Sequence, residues 1–304
     1  MLVAHLACCD CLDWMREQPD DCCDLVFGSP PYESARSYGI GFKLTGQAWV
    51  DWMVERMAEM ARVCRGMVAL VVEGQTKNFR WSATPALLMA DLHRGGWFLR
   101  KPPIFQRVGI PGSGGPDWLR NDYESIVCIT SRPGKLPWSD NTAMGHPPKW
   151  APGGEMSNRL SNGERRNQWG GTDNRTSANG RYANGEHKPR KVTTKFREGM
   201  HNQDQSYQPP AIANPGNVIR CNVGGNLMGS PLAHENEAPF PESLAELFVR
   251  SFCPPGGTVL DPFCGSGTTG AAAIKHGRKF VGLDIRESQI ELTERRLAEA
   301  RAAI

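Results

Sequence analysis

A chain of 304 residues with 39% hydrophobic residues is long enough for one large domain, or for one domain carrying an insertion. It has no apolar run of about 18 residues and no basic region followed by an apolar core at its start, so we expect neither a membrane span nor a signal peptide. The formal charge of +3 is unevenly distributed, because residues 137–230 hold 12 Lys and Arg against 7 Asp and Glu. The basic excess lies in the middle of the chain, as a nucleic-acid contact surface would require.

The N-terminal half alternates predicted strands and helices. Residues 2–7 read as a strand that leads to Asp10 and a short helix over 12–17. A second strand, 24–27, runs into Ser29-Pro30-Pro31-Tyr32. Helical spacing of large apolar residues then predicts a helix whose buried stripe consists of Trp49, Trp52, Met53, Met57, Met60 and Val63. Further strands are predicted over 66–72, 97–100 and 123–130, with a helix over 85–93.

Periodicity disappears between residues 135 and 231, where Asn, Gly, Arg, Ser and Pro dominate. It returns with a helix over 241–252, with Pro241 at its first position, and with a last helix over 286–302 that carries a Glu291–Arg295 pair at i,i+4. The alternation of strands and helices predicts an α/β fold built on a doubly wound, mostly parallel sheet. We divide the chain into residues 1–136, an inserted irregular region over 137–230, and residues 231–304.

A Gly-bearing turn lies between two predicted strands near the C-terminus. Val259-Leu260 is followed by Asp261-Pro262-Phe263-Cys264-Gly265-Ser266-Gly267, then by a helix start rich in small residues, and the strand over 280–283 ends on Asp284. Glycines let backbone amides approach a ligand closely, and an acid at the tip of the next strand suits a ribose diol. The full Gly-x-Gly-x-x-Gly spacing is absent, so the turn suits a nucleoside without a pyrophosphate. Such turns also occur only to let a helix pack on a strand.

The segment from Ser29 to Tyr32 has the chemistry of a ligand-binding turn. Two adjacent prolines fix the backbone and remove two donors, so the carbonyl groups there stay free to accept hydrogen bonds from a ligand. A polar side chain precedes the prolines and an aromatic ring follows them.

The two motifs together resemble the amino-group DNA methyltransferases, which modify cytosine N4 or adenine N6. The segment 234–256 is also similar to the family's stretch before the cofactor turn, and the motif order, catalytic first and cofactor last, resembles the permuted β group. The resemblance implies a Rossmann-like fold, S-adenosylmethionine as cofactor and double-stranded DNA as substrate. It covers residues 1–136 and 231–300 well and the middle poorly.

The resemblance also implies roles for individual residues. Ser29 Oγ and the Pro30 carbonyl would accept hydrogen bonds from the target amino group, and Tyr32 would stack on the flipped base. The residues expected at the cofactor are Asp10, Phe240, Asp261, Phe263, Gly265, Gly267, Thr268, Thr269 and Asp284. Two of these have equally simple structural interpretations, since Asp10 could be a turn or cap residue and Asp284 a cap of the last helix.

In this family, Ser before Pro-Pro-Tyr is associated mainly with cytosine N4 and Asp with adenine N6. We therefore expect N4 methylation of cytosine, with N6 methylation of adenine as the alternative. The inserted region interleaves basic groups with aromatics and amides, which favours DNA recognition over a plain linker. The basic residues expected to contact phosphates there are Arg165, Arg166, Lys188, Arg190 and Lys191.

We expect a cytoplasmic enzyme, a possible homodimer, and a possible cognate restriction endonuclease acting on the same site. We expect no metal site, because the ten cysteines read as small hydrophobic residues or idle thiols. Two other classes stay open: an RNA or protein methyltransferase, in which Asn commonly precedes the prolines, and a DNA-binding subunit without turnover, in which a damaged motif would be expected.

Overall fold

The computed structural model describes residues 4–33, 41–109, 115–146 and 211–304. Its backbone separates into two units, one formed by Met1–Met144 with Asn214–Ile304 and one by Gly145–Ala213. Nearly all of the second unit lies outside the described residues, as do Arg165, Arg166, Lys188, Arg190 and Lys191. The three-part division of the chain therefore stays a prediction.

The first unit contains an alternation of strands and helices. Its strands are β1 (Ala4–Cys8), β2 (Cys23–Gly28), β3 (Cys64–Val72), β4 (Thr76–Lys77), β5 (Arg80–Trp81), β6 (Phe98–Leu99), β7 (Ile104–Val108), β8 (Tyr123–Thr130), β9 (Val218–Asn222), β10 (Thr258–Asp261) and β11 (Lys279–Asp284). Its α-helices are α1 (Cys11–Glu17), α2 (Gly46–Val63), α3 (Thr84–Arg94), α4 (Glu242–Phe252), α5 (Thr268–Lys275) and α6 (Glu287–Ala302). None of the helices in the described ranges is long and apolar enough to cross a membrane.

Within the described ranges, nine strands form one sheet in the order β1-β11-β10-β2-β3-β8-β7-β9, with β6 beside β8. Neighbouring strands from β1 to β3 are all parallel, whereas β8 runs antiparallel to β3 and to β7. Parallel strands buried on both faces are typical of doubly wound α/β domains. The predicted fold class is therefore confirmed.

Each face of the sheet is covered by a different set of helices. Leu25 and Phe27 of β2 belong to a core with Phe248 of α4 and Ala272 of α5. Val26 of the same strand belongs to the opposite core, which includes residues of α1, α2 and α3. This split follows from the two-residue period of a strand. It leaves the carboxyl ends of β2, β10 and β11 uncovered by these layers.

The structure adds elements that the sequence did not predict and corrects two details. The strand β9 lies inside the range expected to be irregular, where it pairs in parallel with β7, and β4 with β5 forms a small separate hairpin. Pro241 is the residue before α4, with an extended backbone, and not its first helical residue. The predicted Glu291–Arg295 pair was wrong, because Arg295 instead forms a bidentate pair with Glu235, with N–O distances of 2.9 and 3.0 Å.

Candidate active site

The two sequence motifs meet because their strands are neighbours. In the parallel pair β2–β10, Leu25 lies opposite Val259 and Val26 opposite Leu260, so the turn after each strand emerges at the same edge of the sheet. β11, which ends at Asp284, is the next strand along. The Ser-Pro-Pro-Tyr turn, the Gly-bearing turn and Asp284 therefore surround one site.

An open pocket lies at this edge, with about 950 Å³ of space including its mouth. Residues from both motifs and from α2 share its wall. They are Asp10, Cys11, Ser29, Pro30, Pro31, Tyr32, Phe42, Trp52, Arg56, Asn236, Ala238, Pro262, Phe263, Gly265, Asp284, Ile285 and Arg286.

The hydroxyl of Ser29 is oriented by its neighbours. Ser29 Oγ donates to the Val71 carbonyl at 3.1 Å or to Tyr32 Oη at 3.2 Å, and Tyr32 Oη itself donates to Glu124 Oε2 at 2.7 Å. Because a carbonyl accepts only and the phenol proton is committed to Glu124, the Ser29 proton points to one of these two acceptors. Its lone pairs remain available to accept from a ligand.

The carbonyl groups of the two prolines differ in their use. Pro31 accepts from Trp49 Nε1 at 2.9 Å, which fastens the turn to α2. No hydrogen bond from the described residues reaches the Pro30 carbonyl, and Pro30 itself lines the pocket. Ser29 Oγ and the Pro30 carbonyl are thus two adjacent acceptors facing a cavity, as an amino group with two N–H bonds requires.

Glu33, the residue after Tyr32, connects this turn to three neighbouring elements through hydrogen bonds. Its carboxylate is buried and accepts from the Gly46 amide at 2.7 Å, from the Gln75 amide at 3.1 Å and from Thr84 Oγ1 at 3.4 Å. These donors begin α2, follow β3 and begin α3. One carboxylate therefore holds three elements in place around the motif.

The Gly-bearing turn is closed tightly between β10 and α5. The Cys264 amide donates to the Leu283 carbonyl at 2.8 Å and the Gly267 amide to the Cys264 carbonyl at 2.7 Å. Gly265 has a left-handed φ of 50°, and a Cβ there would lie 2.8 Å from Asn236 Nδ2. Only glycine satisfies both constraints, so the backbone itself forms the pocket wall at this point.

Asp284 organises the other side of this turn. Its Oδ2 accepts from the Gly265 amide at 3.2 Å and its Oδ1 from the Arg286 amide at 3.0 Å. Burial raises the pKa of Asp284, and the Arg286 and Gly265 amides oppose that shift. Arg286 points its guanidinium at Glu237, with N–O distances of 2.7 and 3.1 Å. Asp284 Oδ1 also forms a longer ion pair with Arg286 Nε at 3.8 Å, and Asp284 lines the pocket.

Asp10 is both a helix cap and part of the pocket. Its Oδ1 accepts from the Leu12 amide at 2.8 Å, which caps α1, and its Oδ2 pairs with Arg56 Nη2 at 2.9 Å. Arg56 is buried, and its guanidinium lies 4.0 Å from the centre of the Trp52 ring. The structure confirms that Asp10 is a helix cap, and its place in the pocket wall leaves its role at the cofactor a prediction.

Eight of the thirteen residues predicted for the catalytic and cofactor sites line the pocket. They are Asp10, Ser29, Pro30, Pro31, Tyr32, Phe263, Gly265 and Asp284. The other five are not among the residues that line the pocket. Asp261 and Thr269 are buried, Gly267 precedes α5, Thr268 Oγ1 accepts from Arg296 Nη1 at 2.9 Å, and Phe240 packs edge-on against Phe27 at 5.4 Å. The roles of all thirteen residues stay predictions.

Several wall residues were not predicted from the sequence. Trp52 belongs to the helical stripe of α2 that was predicted to be core, but it contacts Phe42 and Phe263 at ring distances of 5.1 and 6.0 Å and lines the pocket. Its spacing resembles that of its buried neighbours, so no sequence signal separates it from them. Asn236 lies within the segment 234–256 and Arg286 is the first residue of the predicted last helix, but neither was predicted as a site residue.

The described residues contain no group of three or more His, Cys, Asp and Glu side chains arranged to hold a metal ion. Each of the ten cysteines has a free thiol, and seven of them are buried.

A family model for N6/N4 methyltransferases, with the description DNA methylase, matches residues 23–295. The chain belongs to this family. Over 295 residues it is 24% identical to the DNA adenine methyltransferase YhdJ of Escherichia coli K12, an alignment that covers 95% of this chain and 80% of YhdJ. The predicted resemblance is therefore confirmed, including methyl transfer to DNA as the activity of the family.

Solved structures agree with the sheet topology. The PvuII DNA methyltransferase (cytosine-N4-specific) has a TM-score of 0.63 to this DNA methylase at 15% identity, covering 99% of this chain and 92% of the other. The putative DNA modification methylase TTHA0409 of Thermus thermophilus, in complex with S-adenosyl-L-methionine, has a TM-score of 0.55 at 18% identity over 100% and 96% of the two chains. At these identities the similarity concerns the fold.

S-adenosylmethionine is the cofactor of this family. The donor and acceptor set of the pocket fits it: a carboxylate at a strand end suits a ribose diol, and the Phe263 and Trp52 rings suit a purine. Gly265 itself lines the pocket, and it has no side chain to occupy that space. The described part of the pocket therefore contains the groups that this cofactor requires.

Proposed function

We propose that this DNA methylase transfers a methyl group to the exocyclic N4 of a cytosine turned out of duplex DNA. The supporting observation is the geometry at Ser29, whose proton is directed to Val71 or Tyr32, which leaves Oγ available as an acceptor, and which lines the pocket beside Pro30. An aryl amino group is a poor nucleophile because its lone pair is delocalised into the ring. Two acceptors that bind both N–H bonds draw the nitrogen toward tetrahedral geometry and free the lone pair.

When bound, S-adenosylmethionine supplies the electrophilic methyl group. The protein contributes position: Asp284 would accept from the ribose hydroxyls and Asp10 would lie near the adenine. Tyr32 would stack on the target base, which must leave the helix to reach this pocket. In-line placement of the reacting atoms accounts for most of the rate. No covalent bond to the enzyme is needed, and the reacting nitrogen loses its proton to water or to a nearby acceptor.

The choice of cytosine rests on the neutral Ser29 before Pro-Pro-Tyr. The alternative, N6 of adenine, is supported by the similarity to YhdJ, whose name gives adenine as its base. Both bases present an amino group to the same pair of acceptors.

DNA recognition by the region 137–230, through Arg165, Arg166, Lys188, Arg190 and Lys191, is part of this proposal. So are a cytoplasmic location, a homodimer and a cognate restriction endonuclease. The salt dependence of DNA binding tests the recognition region. Replacing one of these residues should make the plot of log K against log salt less steep by roughly one for each phosphate contact that is lost.

The base is identified by incubating the purified chain with unmethylated plasmid DNA and cofactor, digesting the DNA to nucleosides and analysing them by mass spectrometry. N4-methylcytosine supports the proposal, and N6-methyladenine replaces it with the alternative. Labelled methyl groups found on RNA or protein but not on DNA would contradict it, as would cofactor binding without transfer to any acceptor.

A further inference from the structure

The hairpin β4–β5 has an unusual turn. Thr76 pairs with Trp81 and Lys77 with Arg80, which leaves Asn78 and Phe79 as a two-residue loop. Both loop residues have left-handed φ angles, 51° and 62°, as a type I′ turn requires. Asn is common at the first of these positions, and Gly is strongly preferred at the second.

Phe79 is costly at this position and contributes nothing to the core. A bulky residue with positive φ is a conformational outlier, and 79% of the Phe79 side chain is exposed. The turn would form more readily with glycine, which is the usual residue there. Strained residues of this kind are concentrated at functional sites, so the aromatic ring points to a role outside the fold.

The hairpin rises from the catalytic edge of the sheet. It follows β3, whose Val71 carbonyl accepts from Ser29. Two hydrogen bonds hold the hairpin where it leaves the sheet: the Gln75 amide donates to Glu33 Oε1 at 3.1 Å, and Trp81 Nε1 donates to Glu73 Oε1 at 3.0 Å. Because Glu33 directly follows Tyr32, the turn that carries Phe79 is braced against the motif that would hold the target base.

The hairpin carries positive charge only. Lys77 and Arg80 flank the turn, both are exposed, and neither forms an ion pair with any described residue. No acidic residue occurs over residues 74–82. This arrangement is complementary to a nucleic-acid duplex. The two cations can bind phosphates, and the exposed aromatic ring between them can stack at a base step.

We propose that this hairpin enters the DNA duplex beside the target base and that Phe79 fills the space the base leaves when it turns out. The inference rests on the proposed function and adds the element that lowers the cost of base flipping. Turning a base out costs stacking and pairing energy, and an apolar wedge that stacks on the exposed neighbours offsets part of that cost.

The test uses Phe79→Gly, which relieves the left-handed strain, and Phe79→Trp, which keeps a stacking ring. Phe98→Ala is the matched control, because Phe98 is also exposed but pairs with Thr130 at the opposite end of β8. Methyl transfer is measured on a duplex with the mapped target site and on the same duplex with an abasic position opposite the target base. Cofactor affinity and thermal unfolding are measured for every variant.

We expect Phe79→Gly to lower kcat/KM on the intact duplex about tenfold or more and to match the wild type on the abasic duplex, where the base is already unpaired. Phe79→Trp and Phe98→Ala should stay within about twofold of the wild type on both. Equal rates for Phe79→Gly and wild type on the intact duplex, or an equal loss on both duplexes, would overturn the inference while leaving the proposed function intact. Absence of transfer to DNA by the wild type would instead refute the proposed function, and the inference with it.

Discussion

The phenolic oxygen of Tyr32 lies 2.7 Å from Oε2 of Glu124, which is 92 residues later in the chain. The other carboxylate oxygen, Oε1, pairs with Arg107 Nη1 at 3.1 Å. Tyr32 would stack on the target base. The hydrogen bond to Glu124 ties its ring to β8, in the antiparallel part of the sheet. Glu124 is a positioning residue for the site, and no motif in the sequence marks it.

Replacing Glu124 with Ala should lower kcat for methyl transfer by about tenfold, because a released Tyr32 ring no longer holds the base at a fixed distance. Tyr32→Phe should have a similar effect, and the double variant Tyr32→Phe/Glu124→Ala should be no worse than either alone. Steady-state kinetics give the comparison, with Tyr123→Phe as a control at an exposed neighbouring phenol. Additive losses in the double variant would show that Glu124 does not act through Tyr32.

Ser29→Ala should reduce kcat by about 10² to 10³, since it removes one of two acceptors that act on the amino group in the transition state. The affinity for S-adenosylmethionine, measured by calorimetry, should stay within about twofold of the wild type. Ser131→Ala is the control, because Ser131 Oγ also donates to a backbone carbonyl, that of Cys64, at the far edge of the sheet. Full activity of Ser29→Ala would remove Ser29 from the mechanism.

Asp284→Asn should weaken binding of S-adenosylmethionine by roughly tenfold to a hundredfold, because a hydrogen bond to a charged acceptor contributes about 1.5–3 kcal/mol. Asn keeps an acceptor for only one of the two amides, Gly265 or Arg286, so the variant also loses one hydrogen bond within the turn. Asp13→Asn, on the exposed face of α1, is the matched control. An unchanged Kd for Asp284→Asn would mean that this carboxylate only closes the turn.

Asp261 should make the protein less stable as the pH rises. Burial raises its pKa from 3.8 to about 7, with the Thr269 side chain and the Phe263 amide opposing the shift. Between these two pH values the folded chain retains a proton that the unfolded chain has released. The free energy of unfolding therefore falls as pH rises, by up to about 4 kcal/mol by pH 8.

Asp261→Asn keeps an acceptor for the Phe263 amide and removes this titration. Urea unfolding at pH 5 and pH 8 should show the variant gaining stability over the wild type at the higher pH. Other groups titrate in both proteins and cancel in the difference. Parallel changes of the two proteins between these pH values would show that Asp261 is ionised in the folded state.

Local patterns in the sequence predicted the strands and helices around both motifs, because strands buried on both faces are short continuous apolar runs and helices have apolar stripes of helical period. The eight predicted residues that line the pocket all lie at strand ends or in the two motifs. The sequence could not separate Trp52 from Trp49, since both belong to one stripe and only the approach of Phe42 and Phe263 decides which ring faces the cavity.

Contacts between distant segments were the hardest to predict. The strand β9 alternates buried Ile219 and Cys221 with exposed residues, but it has only five residues and lies in a polar stretch, and it pairs with β7 from a distant segment. The resemblance implies Thr268 at the cofactor, and the structure adds that its hydroxyl accepts a hydrogen bond from the buried Arg296 guanidinium, 28 residues later in the chain. Such long-range partners leave no trace in a local pattern.

The central claim is that Ser29 and Pro30 bind the amino group of an extruded base beside the cofactor. A crystal structure of the chain with S-adenosylhomocysteine and a duplex containing the mapped target tests it directly. The account predicts the exocyclic nitrogen within about 3 Å of both Ser29 Oγ and the Pro30 carbonyl oxygen, with the base stacked on Tyr32. A flipped base whose amino group points away from both oxygens, or a target base still stacked in the duplex, would contradict it.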